Sequence, residues 1–130
     1  MVGSQIAWSH TTTLDPTPVS AAQARGFVSR HLIDHRLLRM VDPVRLVASE
    51  LATNALTHAR TAFKVTLSGQ DDTVLLTVSD YSASLPAAHD AQVMDSRGRG
   101  LSIVAVVSTE WGWREDKAGA KTVWASFTTA

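Results

Sequence analysis

Three polar residues, Glu50, Asn54 and His58, stand at i, i+4 and i+8 in a stretch whose apolar residues recur at helical spacing. Each step of four turns the side chain only about 40° around a helix, so the three form one polar row beside the apolar stripe. Glu50 offers a carboxylate that can orient or deprotonate a hydroxyl or a water. Asn54 offers a neutral oxygen suited to Mg²⁺, which keeps most of its waters and takes one or two protein oxygens together with phosphate oxygens. A solvated helix flank would show the same spacing. Asp80 closes a run dense in Val and Leu. A carboxylate where a strand ends faces the crevice that the departing loops leave, although an Asp there also simply starts turns. Gly98-Arg99-Gly100-Leu101 opens another apolar helical pattern, with Arg97 just before it. The unpaired N–H groups of a helix's first turn attract phosphate, glycine lets a ligand approach the backbone, and arginine adds positive charge.

Other chemistries are excluded by what is missing. The chain has no Cys, hence no disulfide, thiol nucleophile or cysteine-based zinc site. There is no Gly-x-x-x-x-Gly-Lys-Ser/Thr loop, no Gly-x-Ser-x-Gly elbow and no Ser-x-x-Lys pair. Gly98-x-Gly100 is not a dinucleotide fingerprint, because Ile103 occupies the place of the third glycine. His31 and His35 lie one helical turn apart without the zinc-protease glutamate between them, and read as ordinary helix-surface histidines. Trp111, Trp113 and Trp124 read as sheet-packing residues rather than as a base-stacking platform. The 12 Lys+Arg against 12 Asp+Glu give no basic excess of the kind that nucleic-acid binding by counterion release requires.

The 130 residues, with 45% hydrophobic content, make one domain with a real core. The pattern predicts an edge strand near Gln5–Thr12 and a turn at residues 15–18, so that residues 1–18 form an N-terminal strand and turn. A first helix follows, capped by Ser20 and running to about His35. A second is started by the Asp42-Pro43 pair and runs to about Ala59. Strands at Phe63–Ser68 and Thr73–Asp80 form a hairpin turning at residues 69–72, and the density of the second suggests burial on both its faces. Residues 81–99 make a long loop, a third helix starts at Gly100, and a hairpin of Trp111–Arg114 with Lys121–Thr128 ends the chain. Two hairpins imply a mixed, mostly antiparallel sheet, so the expected class is α+β: a two-layer α/β sandwich with three helices over one face of the sheet. No signal peptide and no apolar run of about 20 residues is visible, which points to a cytoplasmic domain that does not engage a membrane.

Three segments in this order carry a resemblance to a known family. Glu50-Leu51-Ala52-Thr53-Asn54-Ala55-Leu56-Thr57-His58-Ala59 resembles the N-box of the GHKL (Bergerat-fold) ATPases. Val78-Ser79-Asp80-Tyr81-Ser82-Ala83-Ser84-Leu85-Pro86 resembles their first glycine box, and Gly98-Arg99-Gly100-Leu101-Ser102-Ile103-Val104 their second. The ending, with Trp111-Gly112-Trp113-Arg114 and Lys121-Thr122-Val123-Trp124, is similar to the branch of small actinobacterial proteins related to anti-sigma-factor serine kinases. The resemblance covers the chain from about Val19 onward.

It implies ATP and Mg²⁺ as cofactors. Glu50 becomes the general base for phosphoryl transfer, and Asn54 holds Mg²⁺ between the phosphates. His58 supports the phosphate side. Asp80 accepts the adenine amine, and Thr122 supports the adenine edge. Arg97, Gly98, Arg99, Gly100 and Leu101 serve the phosphates, and residues 87–97 are the lid that closes over the nucleotide. Ser82 stands in the box where the family has glycine, as does Ser84, and the Cβ of serine crowds a backbone that must lie close to adenine. The implied function is a serine/threonine kinase that phosphorylates an anti-sigma-factor antagonist and sequesters a sigma factor, as a homodimer without direct nucleic-acid contact. The serines favour the alternative, a binding module of the same fold with little turnover. A sensor histidine kinase is disfavoured, because the first 40 residues are too few for its phosphoacceptor helix hairpin.

Overall fold

A computed structural model describes residues 7–58, 61–80, 98–115 and 119–129, with only the backbone for His58 and residues 98–102. Strand β1 (Trp8–Leu14) leads into helix α1 (Ser20–Asp34). A short 3-10 turn (Leu38–Met40) then runs directly into α2 (Val41–His58). Strands β2 (Phe63–Gln70) and β3 (Thr73–Asp80) form a hairpin, α3 spans Gly98–Val107, and β4 (Glu110–Glu115) pairs with β5 (Lys121–Thr128).

The strands lie in the order β1-β2-β3-β5-β4, and every pairing is antiparallel. One face of this sheet is apolar. Phe63, Val65 and Leu67 of β2, Val74, Leu76 and Val78 of β3, and Val123, Ala125 and Phe127 of β5 are all buried, at every second position. They meet Ala24, Phe27, Val28 and Leu32 of α1, Val44, Val47, Ala48, Leu51, Ala52 and Ala55 of α2, and Val104 of α3 in one core. Period two on the strands and the helical stripes opposite make the expected α+β sandwich, with three helices over a sheet. On β3 the expectation of burial on both faces is corrected: Leu75, Thr77 and Ser79 remain half-buried, because the helices cover only the other side. Trp111 and Trp113 pack against the core, whereas Trp124 lies on the far face across Gly112, where an added Cβ would sit 2.9 Å from its ring.

The helix starts differ from the sequence expectation. Ser20 does not cap α1. Val19 already has helical backbone angles and no side chain caps the helix, so Ser20 turns inward, fully buried, its hydroxyl without a hydrogen-bond partner among the described residues. Nor does Asp42 cap α2: the 3-10 turn supplies the entry and Asp42 falls inside the first helical turn, where its charge favours the helix dipole. At its other end α1 closes with Arg36 in the left-handed region at φ 61°. The Arg36 N–H donates to the Ile33 carbonyl and the Leu37 N–H to the Leu32 carbonyl, the paired bonds of a Schellman stop. In the β2–β3 turn, Asp71 takes φ 57°, a conformation that Asp tolerates better than most residues.

His31 and His35 are not plain surface residues. The helix-facing positions of β1 carry Trp8 and His10. The His31 ring stacks on His10 with centroids 3.8 Å apart, and His35 stacks on Trp8 at 3.9 Å. The His10 and His35 Nε2 atoms share a hydrogen bond at 2.9 Å. The Trp8 indole lies over Gly69 of β2, where a Cβ would come within 2.4 Å of the ring, so glycine makes the seam's floor. Burial lowers the pKa of both His31 and His35. The charges of His10 and, for His31, of Arg30 and His35 add to the lowering, and Asp34 opposes it for both.

Candidate functional site

The helix-facing row of β3 runs Val74, Leu76, Val78 and then Asp80, an apolar series that ends in a carboxylate only 3% exposed. The corresponding row of β5 begins at Lys121, 7% exposed, and continues through Val123. Register places Asp80 directly opposite Lys121 and Val78 opposite Val123. Over these strand ends lies α2, which contributes Leu51, Asn54 and Ala55. These seven residues line a narrow crevice. A buried carboxylate is tolerated only with compensating polar or charged neighbours, and a lysine on the facing strand is one direct solution.

The crevice is chemically asymmetric. Its lining sets the apolar Val78, Val123, Leu51 and Ala55 beside a carboxylate acceptor, an ammonium donor and an amide that can do both. Among the described residues no group of three or more His, Cys, Asp or Glu converges on a metal. A divalent ion would therefore have to be held as Mg²⁺ commonly is, by one protein oxygen together with phosphates and water, and Asn54 is suited to that.

The sequence candidates fall into four groups. Asn54 and Asp80, from separate segments, meet in the crevice. Glu50 is half-buried one turn before Asn54 on α2, outside the crevice lining, and His58 is the last residue of the same helix. Gly98, Arg99, Gly100 and Leu101 form the first turn of α3, which starts at Gly98 rather than Gly100 and packs against α2. Ser82, Arg97 and the lid at residues 87–97 lie outside the described residues. Thr122 is the correction: it faces away from Asp80. Its hydroxyl shares a 2.7 Å hydrogen bond with Ser79 on the open face of the sheet. Strand side chains alternate, so a one-residue error of register moves a residue through the sheet. Lys121 takes the place beside Asp80, and the parity of Val123, Ala125 and Phe127 was the signal that could have found it.

No helix among the described residues is long and apolar enough to cross a membrane. No curated protein matches the chain. The family model for the histidine kinase-like ATPase domain matches residues 14–127. That span runs from the end of β1 through α1 to Phe127 of β5 and takes in both sides of the crevice, so the chain belongs to the histidine kinase-like ATPase domain family.

Proposed function

We propose that the chain is an ATP-binding regulatory protein that acts as a serine/threonine kinase on an anti-sigma-factor antagonist, and that it also binds a sigma factor. The observation that carries the nucleotide reading is the meeting of Asn54 and Asp80 in a largely apolar crevice in a chain of this family. In this reading Asp80 accepts a hydrogen bond from the adenine amine and fixes the base. Asn54 supplies an oxygen to Mg²⁺, which when bound neutralises charge on the phosphates. The first-turn N–H groups of α3, at Gly98, Arg99, Gly100 and Leu101, face the phosphate oxygens, with Arg97 beside them. His58 supports the phosphate side. Glu50 takes the proton of the attacking hydroxyl. Such a set suffices because phosphoryl transfer needs mainly positioning and charge stabilisation. The kinase and anti-sigma roles, a homodimeric state and a cytoplasmic setting rest on the sequence resemblance, and the balanced charge favours protein partners over DNA.

The test is a thermal shift with millimolar Mg-ATP. Wild type is stabilised, and Asn54→Ala and Asp80→Ala, each shown to be folded, are not. Absence of a shift in wild type rejects the nucleotide reading. It then favours the second reading, a partner-binding module of the same fold, for which Ser82 and Ser84 in place of glycine speak.

A further inference from the structure

Lys121 has no role in the reading just given, yet it occupies the position in the crevice nearest to Asp80 across the β3–β5 ladder. Lysine is among the residues least often fully buried, because taking an ammonium out of water is costly unless other groups compensate. Here it is 7% exposed, on the helix-facing row, with Val123 following it.

We infer that Lys121 is a base-specificity residue that reads the ring N1 of adenine while Asp80 reads the exocyclic amine. The inference rests on the ATP reading and deepens it. The Watson–Crick edge of adenine presents a donor, the N6 amine, directly beside an acceptor, N1. Recognition of that edge needs an acceptor and a donor side by side. Facing residues on adjacent antiparallel strands, with Cβ atoms about 5 Å apart, present two side chains to one such edge. Asp80 and Lys121 are facing residues of this kind, one an acceptor and the other a donor, in a crevice otherwise lined by Asn54 and apolar residues.

Titration calorimetry of the full chain with Mg-ATP, with the Mg²⁺ complex of 1-deaza-ATP, in which N1 is replaced by C–H, and with Mg-GTP tests this. Wild type should bind ATP about ten- to a hundredfold more tightly than 1-deaza-ATP, the range for loss of one hydrogen bond to a charged donor. Lys121→Met, which keeps the stem and removes the donor, should lose a similar factor for ATP and bind the two adenine nucleotides alike. Equal binding of ATP and 1-deaza-ATP by wild type overturns the inference while leaving the ATP reading intact, and this comparison stands even if the variant does not fold. ATP binding by Lys121→Met that equals or exceeds wild type also overturns it, since the lysine then only occupies the carboxylate. Tighter binding of GTP than of ATP overturns the adenine assignment, because guanine presents N1 as a donor. If wild type binds none of the three, the ATP reading and this inference fall together.

Discussion

Two polar clusters interrupt the helix-facing side of the same sheet, and they solve the problem of burial in opposite ways. At the β3–β5 end, a carboxylate and an ammonium face one another across a ladder, with an amide above them. At the β1 edge, three imidazoles and an indole stack between strand and helix. The first cluster sets an acidic residue against a basic one. The second works by keeping charge low: a hydrogen bond between two imidazole nitrogens needs one ring to accept, so His10 and His35 cannot both be protonated while it lasts. The proposed function assigns nucleotide binding to the first cluster and so separates it from a seam whose stacked rings hold the edge strand against α1.

That separation can be broken by experiment. The largest effect belongs one helical turn from the first cluster: under the proposed kinase function, Glu50→Ala should slow phosphoryl transfer by about 10²–10⁴-fold. Nucleotide affinity and melting temperature should hardly move, which a coupled kinase assay and a thermal melt would check. The seam should answer in the reverse sense. Gly69→Ala drives a methyl group into the Trp8 indole and forces it off His35, at about 1–3 kcal/mol of stability read by urea unfolding, with the ATP shift per mole of nucleotide retained. Loss of nucleotide binding in that variant would merge the two regions into one.

Acidity should then act on the seam. His31 and His35 titrate below the ordinary imidazole value of about 6.5 in the folded chain, so the unfolded chain binds protons first. Their neutral forms therefore impose no penalty above that value, and stability falls as the pH drops through it toward the lower folded values. Thermal melts from pH 8 to pH 5 should show this decline, and the double variant His31→Gln/His35→Gln should flatten it. The smallest expected effect is Arg36→Gly. It removes the side chain that resists the left-handed stop of α1, for a gain of about 0.5 kcal/mol after the added freedom of the unfolded glycine.

What the sequence made legible follows the range of the interactions involved. Thr73–Asp80 and Lys121–Thr128 were readable as spans because turn residues bound them, while the density of Val and Leu on the first concealed its alternation. The row of Glu50, Asn54 and His58 on α2 was readable because helical period is a local property. Ser20 was misread because a capping residue is defined by the conformation of its neighbour, and Val19 took the helical one. Gly98 was read as loop because glycine permits other conformations, but permission does not prevent a helix from starting there. A motif says nothing of strand parity, and it is parity that turns Thr122 away from Asp80 and sets Lys121 opposite it. The imidazole seam was illegible altogether: His10 and His35 are 25 positions apart, and nothing local to either says that they will touch.

The β3–β5 ladder also sets when the crevice can exist during folding. Each of its cross-strand pairs spans residues 81–120 or more, whereas the β2–β3 hairpin closes across Asp71 and Asp72. Closure entropy and diffusion favour the hairpin first and the long-range ladder later. Asp80 is thus carried on an early strand and meets Lys121 only when the last strand zips into place. A nucleotide that bridges the two would act as a clasp on the late-forming ladder. Because it grips contacts still open at the folding barrier, it should slow unfolding far more than it speeds folding.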